Sequence, residues 1–248
     1  MMNNKLTVVV IAKNEEKQIT ACLKSAVFAD EIVFIDSGST DNTVNIAKKC
    51  GAKVFEVKFS NFSDLRNIGR EKAVNSWIFY LDADEEITKE LKAEILKTIR
   101  DVNAKNCYLI KRSNYYLGRK WPVDDTVEKL FRKEYLKNWY GEVHESPTVI
   151  GEKGELTNPL IHRTHNNLEE MLNNTIVWSD FEAKARFEAN HPKITWWRIF
   201  RMMLTSFWDS YVRQKGWTVG TVGLIESMYQ SFSTFVTYAK LWEMQNNL

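Results

Sequence analysis

The sequence predicts an α/β fold: a doubly wound, mostly parallel sheet flanked by helices, followed by a helical, aromatic C-terminal extension. Three observations predict it. Short apolar, β-branched runs alternate with segments of helical periodicity over the first 100 residues. The connections between them are short and rich in Asn, Asp, Ser and Gly. Polar clusters recur directly after the apolar runs, where ligands of such sheets sit beyond the carboxyl ends of the strands. Those clusters are Asn14-Glu15, Asp36 to Asp41, and Asp82 to Glu86.

The elements follow in order. Leu6 to Ala12 (LTVVVIA) reads as a strand covered on both faces. Apolar residues at Ile19, Cys22, Leu23 and Ala26 have helical spacing. Glu31 to Ile35 is a second strand. Asp36 to Asn42 is a turn whose polar residues open a helix through Val44 and Ala47, stopped by Gly51. Lys53 to Val57 is a third strand, Phe62 to Val74 a helix, and Trp77 to Leu81 a fourth strand. A further helix carries Leu91, Ile95 and Ile99, and Cys107 to Lys111 is another strand. Tyr115, Tyr116 and Trp121 fall in an expected loop. Short strand candidates run from Glu128 to Ile161, and the chain reads as helical after Leu168.

Composition narrows the function. Hydrophobic residues make up 44% and charged residues 27% of 248, enough for a sizeable core. A net charge of +2 argues against a dedicated nucleic-acid binder. Cys22, Cys50 and Cys107 are odd in number with no CxxC spacing, which argues against a disulfide framework or zinc cluster and fits a reducing cytoplasm. The short polar N-terminus lacks the order of a secretory signal. Ser227 to Ala239, an uncharged run of 13 residues, is shorter than the roughly 20 apolar residues that a spanning helix needs.

Asp82 and Asp84 leave a strand end as alternate residues. Two carboxylates there suit a hard divalent cation that keeps positions open for phosphate. The plain alternative is a solvated acidic loop leading into the helix after Thr88. Asp36 follows the second strand, where a carboxylate can accept from a base or ribose; the alternative is that Asp36, Ser37 and Ser39 only shape the turn. Arg66 can pair with phosphate through its planar fork. Tyr140-Gly-Glu-Val-His-Glu145 sets one of four histidines between two glutamates. A carboxylate there, Glu145 or Glu142, can take a proton from an attacking hydroxyl, and His144 can ligate metal. His162 and His165 are further candidates for a metal shell. Trp196, Trp197, Phe200, Phe207, Trp208, Tyr211 and Trp217 interleave with Lys193, Arg198, Arg201, Arg213 and Lys215. Such a helix suits a membrane interface, or packs on the rest of the chain or another subunit.

Four segments together carry a resemblance. Leu6 to Glu16, Ile35 to Thr43, Arg66-Asn67 and Tyr80 to Glu85 resemble the successive motifs of family 2 glycosyltransferases with the GT-A (Rossmann-like) fold. Leu130-Phe-Arg132, Gly141 to Glu145 and the aromatic C-terminus resemble the bacterial subgroup that adds glucose to the lipopolysaccharide inner core. The resemblance implies an inverting enzyme using a UDP-sugar, expected to be UDP-glucose, with Mg2+ or Mn2+. It implies donor contacts from Ala12, Asn14, Glu15, Asp36, Ser37, Arg66, Asp82, Ala83 and Arg132. Asp84 is the implied metal ligand, with Asp82, His144 or His162 beside it, and Glu145 the implied base, with Glu142 as alternative. Many members carry two adjacent acids where this chain has Asp36-Ser37.

The implied organisation is a catalytic domain over 1–165, with a nucleotide-sugar half (1–100) and an acceptor half (101–165), then a helical region over 166–248. The implied partners are a glycolipid or lipopolysaccharide-core acceptor, a membrane surface on its cytoplasmic side, and a second copy of the chain. Two rival readings are a nucleotidyltransferase and a non-catalytic nucleotide-sugar sensor or scaffold. The first favours a glycine-rich phosphate loop, yet residues 1 to 37 contain no glycine.

Overall fold

The computed structural model describes residues 4–58, 61–141 and 145–247. The chain divides into two compact units, Met1–Ser113 with Asp125–His162, and Asn114–Asp124 with Arg163–Leu248.

The first unit opens with β1 (Leu6–Ala12), α1 (Ile19–Ala26), β2 (Glu31–Asp36), α2 (Thr43–Lys49), β3 (Lys53–Glu56), α3 (Phe62–Lys72) and β4 (Trp77–Asp82). The four strands are parallel in the order β3-β2-β1-β4. Alternation along each strand divides its side chains between two cores. Val8, Val10, Phe34 and Phe79 face α1, α2 and a later helix. Val9, Val33, Ile35, Ile78 and Tyr80 face α3. Burial on both sides is why these strands read as unbroken apolar runs. Gly69 lets α3 approach β1 closely, since a Cβ there would lie 2.4 Å from Val9 Cγ1. Asn61 caps α3 by accepting from the Asp64 N–H.

The sheet continues with β5 (Glu85–Ile87), α4 (Lys89–Thr98), β6 (Cys107–Tyr116), β7 (Arg119–Lys120), β8 (Asp125–Arg132), β9 (Leu136–Tyr140), β10 (Ser146–Val149) and β11 (Lys153–Thr164). Its full order is β3-β2-β1-β4-β8-β6-β11-β5, with β7 on β6. The β4–β8, β6–β8 and β5–β11 pairs are antiparallel, so the parallel character belongs to the first four strands. The β9–β10 hairpin adds Leu136 and Trp139 to the α3 face.

The loop expected around Tyr115 and Tyr116 is strand. β6 runs through both, and Leu117-Gly118 turns the chain so that Tyr116 pairs with Arg119. Both turn residues have positive φ, 48° and 75°, as a two-residue turn of the type I′ kind requires. The Leu-Gly pair lacks the Asn-Gly signature that announces this turn in sequence.

The second unit contains this hairpin tip and α5 (Leu168–Glu188), α6 (Trp196–Trp208) and α7 (Thr221–Gln245). Ala183, Ile194, Tyr238 and Leu241 form its centre, with Ile199 and Met202 packed against them. Among the described residues no helix is long and apolar enough to cross a membrane.

Candidate active site

The carboxyl ends of β1, β2 and β4 lie side by side, with Ala12 level with Asp36 and Ile11 level with Asp82. The loops leaving β1 and β2 are bonded to each other. Asn14, at φ 58°, accepts from the Thr40 N–H at 2.7 Å and donates its own N–H to Ser39 Oγ. The Glu15 N–H donates to Thr43 Oγ1, and the Glu16 N–H to Asp41. Asn14 and Glu15 therefore hold the rim of the site. Ser37 donates its N–H to the Ala12 carbonyl at 3.1 Å.

Asp36 is 2% exposed. Its Oδ2 accepts from the N–H groups of Gly38 and Ser39, both at 3.0 Å, and Gly38 takes a φ of 98° that favours glycine. Among the described residues its Oδ1 is buried with no hydrogen-bond partner. A buried carboxylate oxygen without a donor is costly, and a ligand N–H or O–H relieves it.

Asp82 has a cation on each oxygen instead. Oδ1 accepts from Arg66 at 3.1 Å and Oδ2 from Lys129 at 2.6 Å. Lys129, 4% exposed, also reaches Glu85 Oε2 at 2.7 Å, and that oxygen accepts the Asp82 N–H. Burial opposes ionisation of Asp82, but Arg66 and Lys129 hold its carboxyl well below the usual carboxylate range. Burial pushes the Glu85 carboxyl up; Lys129 opposes this, while Asp82 and Asp84 add to it. Arg112 stands 3.5 Å from Glu85 and pairs with Asp125.

Arg66 bridges two expected site residues. Its Nε and a terminal nitrogen both contact Glu145 Oε1, at 2.8 and 2.7 Å, while it also holds Asp82. Its guanidinium lies over the Trp139 ring at 4.9 Å. Asn67 fixes that ring's strand by exchanging two hydrogen bonds with the Trp139 backbone. Together Arg66-Asn67 dock α3 on β9 and aim a cation at two carboxylates.

Asp84 Oδ2 stands 2.9 Å from His162 Nε2. The pairing of β11 with β5, which sets His162 opposite Glu85, brings them together across the sequence. Each Asp82 oxygen already accepts from a cation, while Asp84 and His162 set a carboxylate oxygen beside a ring nitrogen, a donor pair that fits a divalent ion. No group of three His, Cys, Asp or Glu side chains among the described residues does. Two protein ligands suit Mg2+ or Mn2+, which keep water and substrate phosphate in their remaining positions.

Two expectations change, and one residue not expected joins the site. Arg132 pairs with Trp77, at the opposite end of β4 from Asp82, about 17 Å away at about 3.3 Å per residue. Its guanidinium lies over the Trp77 ring and donates to the Ala104 carbonyl, so it has no place at a diphosphate beside Asp84. The antiparallel register of β8 puts Arg132 there. His165 bonds Glu226 in the second unit rather than joining Asp84. Lys129, not singled out from sequence, holds Asp82. Tyr108 pairs with Leu130 and Leu109 with Glu128, so Lys129 is the extra residue of a β-bulge that re-aims it. Ala83 is buried beneath the Asp82–Asp84 turn. Glu142 and His144 lie outside the described residues.

A sequence model of Glycosyl transferase family 2 matches residues 7–150. The chain is 27% identical over 256 residues to an uncharacterized glycosyltransferase of Rickettsia typhi, covering 97% of this chain and 87% of that protein. It is 24% identical over 252 residues to LpsC of Rhizobium meliloti, a lipopolysaccharide core biosynthesis glycosyltransferase, covering 96% and 92%. Among solved structures, Staphylococcus aureus TarS 1-349 in complex with UDP-GlcNAc shares the fold, with a TM-score of 0.54 at 16% identity over 98% of this chain and 92% of that one. The family match spans more than half of the chain and ends beyond Glu145. The α/β architecture is the GT-A fold, and the protein belongs to glycosyl transferase family 2.

Proposed function

We propose that this glycosyltransferase moves glucose, with inversion at the anomeric carbon, from UDP-glucose to a lipopolysaccharide-core or other cell-surface glycan. The observation that carries the donor reading is the buried Oδ1 of Asp36 at the end of β2, which has no partner among the described residues. Uracil offers an N–H to such an oxygen. The nucleotide-sugar complex of TarS supports a UDP-sugar donor, and the likeness to LpsC supports a lipopolysaccharide acceptor.

Asp84 and His162 would hold Mg2+ or Mn2+, which would supply positive charge against the diphosphate leaving group. Asp82 does not share that task. It anchors Arg66 and Lys129, which place positive charge beside the diphosphate. Glu145 is the base. Arg66 occupies its Oε1, and among the described residues Oε2 accepts no hydrogen bond. Oε2 takes the acceptor hydroxyl proton as that oxygen bonds to the anomeric carbon. The bond from that carbon to the diphosphate breaks, and UDP leaves with the electron pair.

The test is UDP release from UDP-glucose with Mn2+ and with chelator, on parent and Glu145→Gln protein, with the product anomer read by NMR. Metal-dependent release, a β-linked product, and a loss of about 10²- to 10⁴-fold in turnover without loss of UDP binding in Glu145→Gln support the proposal. Retention of configuration, or no release of UDP from any UDP-sugar by folded protein, overturns it.

A further inference from the structure

Helix α6 carries Trp196, Trp197, Phe200, Leu204 and Trp208, yet none of its residues is buried. Trp196 is 81% exposed, Phe200 62%, and Leu204 and Trp208 each 60%. Residues 197, 200, 204 and 208 recur at the spacing of one helical face. The opposite face serves the unit's own core, through Ile199 and Met202. The expected aromatic set thus divides. Phe207 and Tyr211 stack on one another at 5.3 Å and are half-buried, while Leu204 joins the outward face.

Charge selects the occupant of that face. Between Lys193 and Trp217 there are five basic residues and one acid, Asp209. Asp209 is paired with Arg213. The guanidiniums of Arg198 and Arg201 stand 5.7 and 5.9 Å from the Trp197 ring centre, so cation and aromatic share one place on the surface. Helix α7 also exposes apolar residues, including Met228 and Phe232, but from Thr221 to Ala239 its one charged residue is Glu226. A protein interface wants apolar surface with few uncompensated charges. An anionic bilayer wants aromatic rings at headgroup depth beside Arg and Lys. Helix α6 has the second composition. At 13 residues it is too short to span, so it would lie in the interface.

We propose that the outward face of α6 docks on an anionic lipid bilayer and presents the enzyme to a lipid-anchored acceptor. The acceptor class rests on the glycosyl-transfer reading; the docking itself does not. The probe is co-sedimentation with vesicles of phosphatidylcholine alone and of phosphatidylcholine mixed with phosphatidylglycerol. The protein is expected to bind the mixed vesicles, and to lose at least about tenfold in partition when salt is raised. Phe200→Ser/Leu204→Ser/Trp208→Ser should abolish that binding, and Arg198→Gln/Arg201→Gln should weaken it about tenfold. The triple serine variant replaces only exposed groups and should keep the parent's melting temperature and UDP affinity, which separates loss of docking from loss of fold or donor site; Arg201 is exposed too, whereas Arg198 is half-buried and donates to the Pro192 and Lys193 carbonyls. Three results overturn the proposal: no binding to mixed vesicles, equal binding by parent and folded variants, or a dimer dissociated by these substitutions in protein that ignores vesicles.

Discussion

Asp36 and Asp82 end two strands that flank β1, at nearly the same level of one sheet, and their surroundings are opposite. Asp36 spends one oxygen on its own turn and, among the described residues, keeps the other buried and without a partner. Asp82 has both oxygens in ion pairs, with Arg66 and Lys129. The difference teaches that an acid's place in a strand-end motif does not fix its job. Asp36 is prepared for a donor that the protein does not supply. Asp82 organises cations, and ion binding is the task proposed for Asp84 with His162.

The largest break in this comparison comes from removing Lys129. Lys129→Met should destabilise the fold by about 3–5 kcal/mol, because it leaves the buried Glu85 without its close cation and Asp82 with Arg66 alone. Adding Glu85→Gln should recover part of that loss, a coupling that chemical denaturation of the four proteins of the cycle measures. Equal stability of Lys129→Met and parent would show that the ion pairs are dispensable.

Next in size is the ion site. Asp84→Ala and His162→Ala should each lower metal-dependent turnover by at least about a hundredfold, since the ion contributes several kcal/mol, while thermal unfolding shifts little. If Asp82→Asn removed the Mn2+ requirement while Asp84→Ala kept it, the roles assigned to the two acids would be reversed.

A smaller effect sharpens the Asp36 side. In Asp36→Asn the amide oxygen can still accept from Gly38 and Ser39, but an NH2 replaces the unpartnered oxygen. UDP affinity should fall about tenfold to a hundredfold, the worth of a hydrogen bond to a charged group, with the turn intact. Calorimetry on the variant reads this.

The smallest effect belongs to Glu31, at the other end of β2. Burial opposes its charge, but hydrogen bonds from Lys53, the Val74 N–H and Thr7 hold its carboxyl below the usual value. A depressed folded-state value means stability that is present above the unfolded value of about 4.3 and lost as pH falls through the folded one. Glu31→Gln should therefore cost about 1–2 kcal/mol at neutral pH, Lys53 being largely solvated, and the gap should narrow in acid. Melting curves against pH follow it.

Much of the first unit was legible in the sequence because β1 to β4 are buried on both faces, which writes an apolar run for every strand and a polar cluster after it. The four linked motifs carried the family for the same reason. What stayed hidden depends on register between distant strands. Lys129 looks like one charge in an alternating strand until a bulge turns it toward Asp82. Arg132 looks like a phosphate ligand until the β4–β8 pairing sends it to the far end of the sheet. His162 is among the residues that the resemblance sets beside Asp84, but what brings it there, 78 positions along the chain, is the pairing of β11 with β5. The outward face of α6 needed the fold of the helical unit, since periodicity alone does not say which side of a helix is covered.

The division of labour between the strand-end acids is tested most directly by calorimetric titration of UDP, with and without Mn2+, into parent, Asp36→Asn and Asp84→Ala protein. The account predicts that Mn2+ strengthens UDP binding to the parent, that Asp84→Ala abolishes this strengthening, and that Asp36→Asn weakens binding while still responding to Mn2+. UDP affinity that ignores both Mn2+ and either substitution would contradict it.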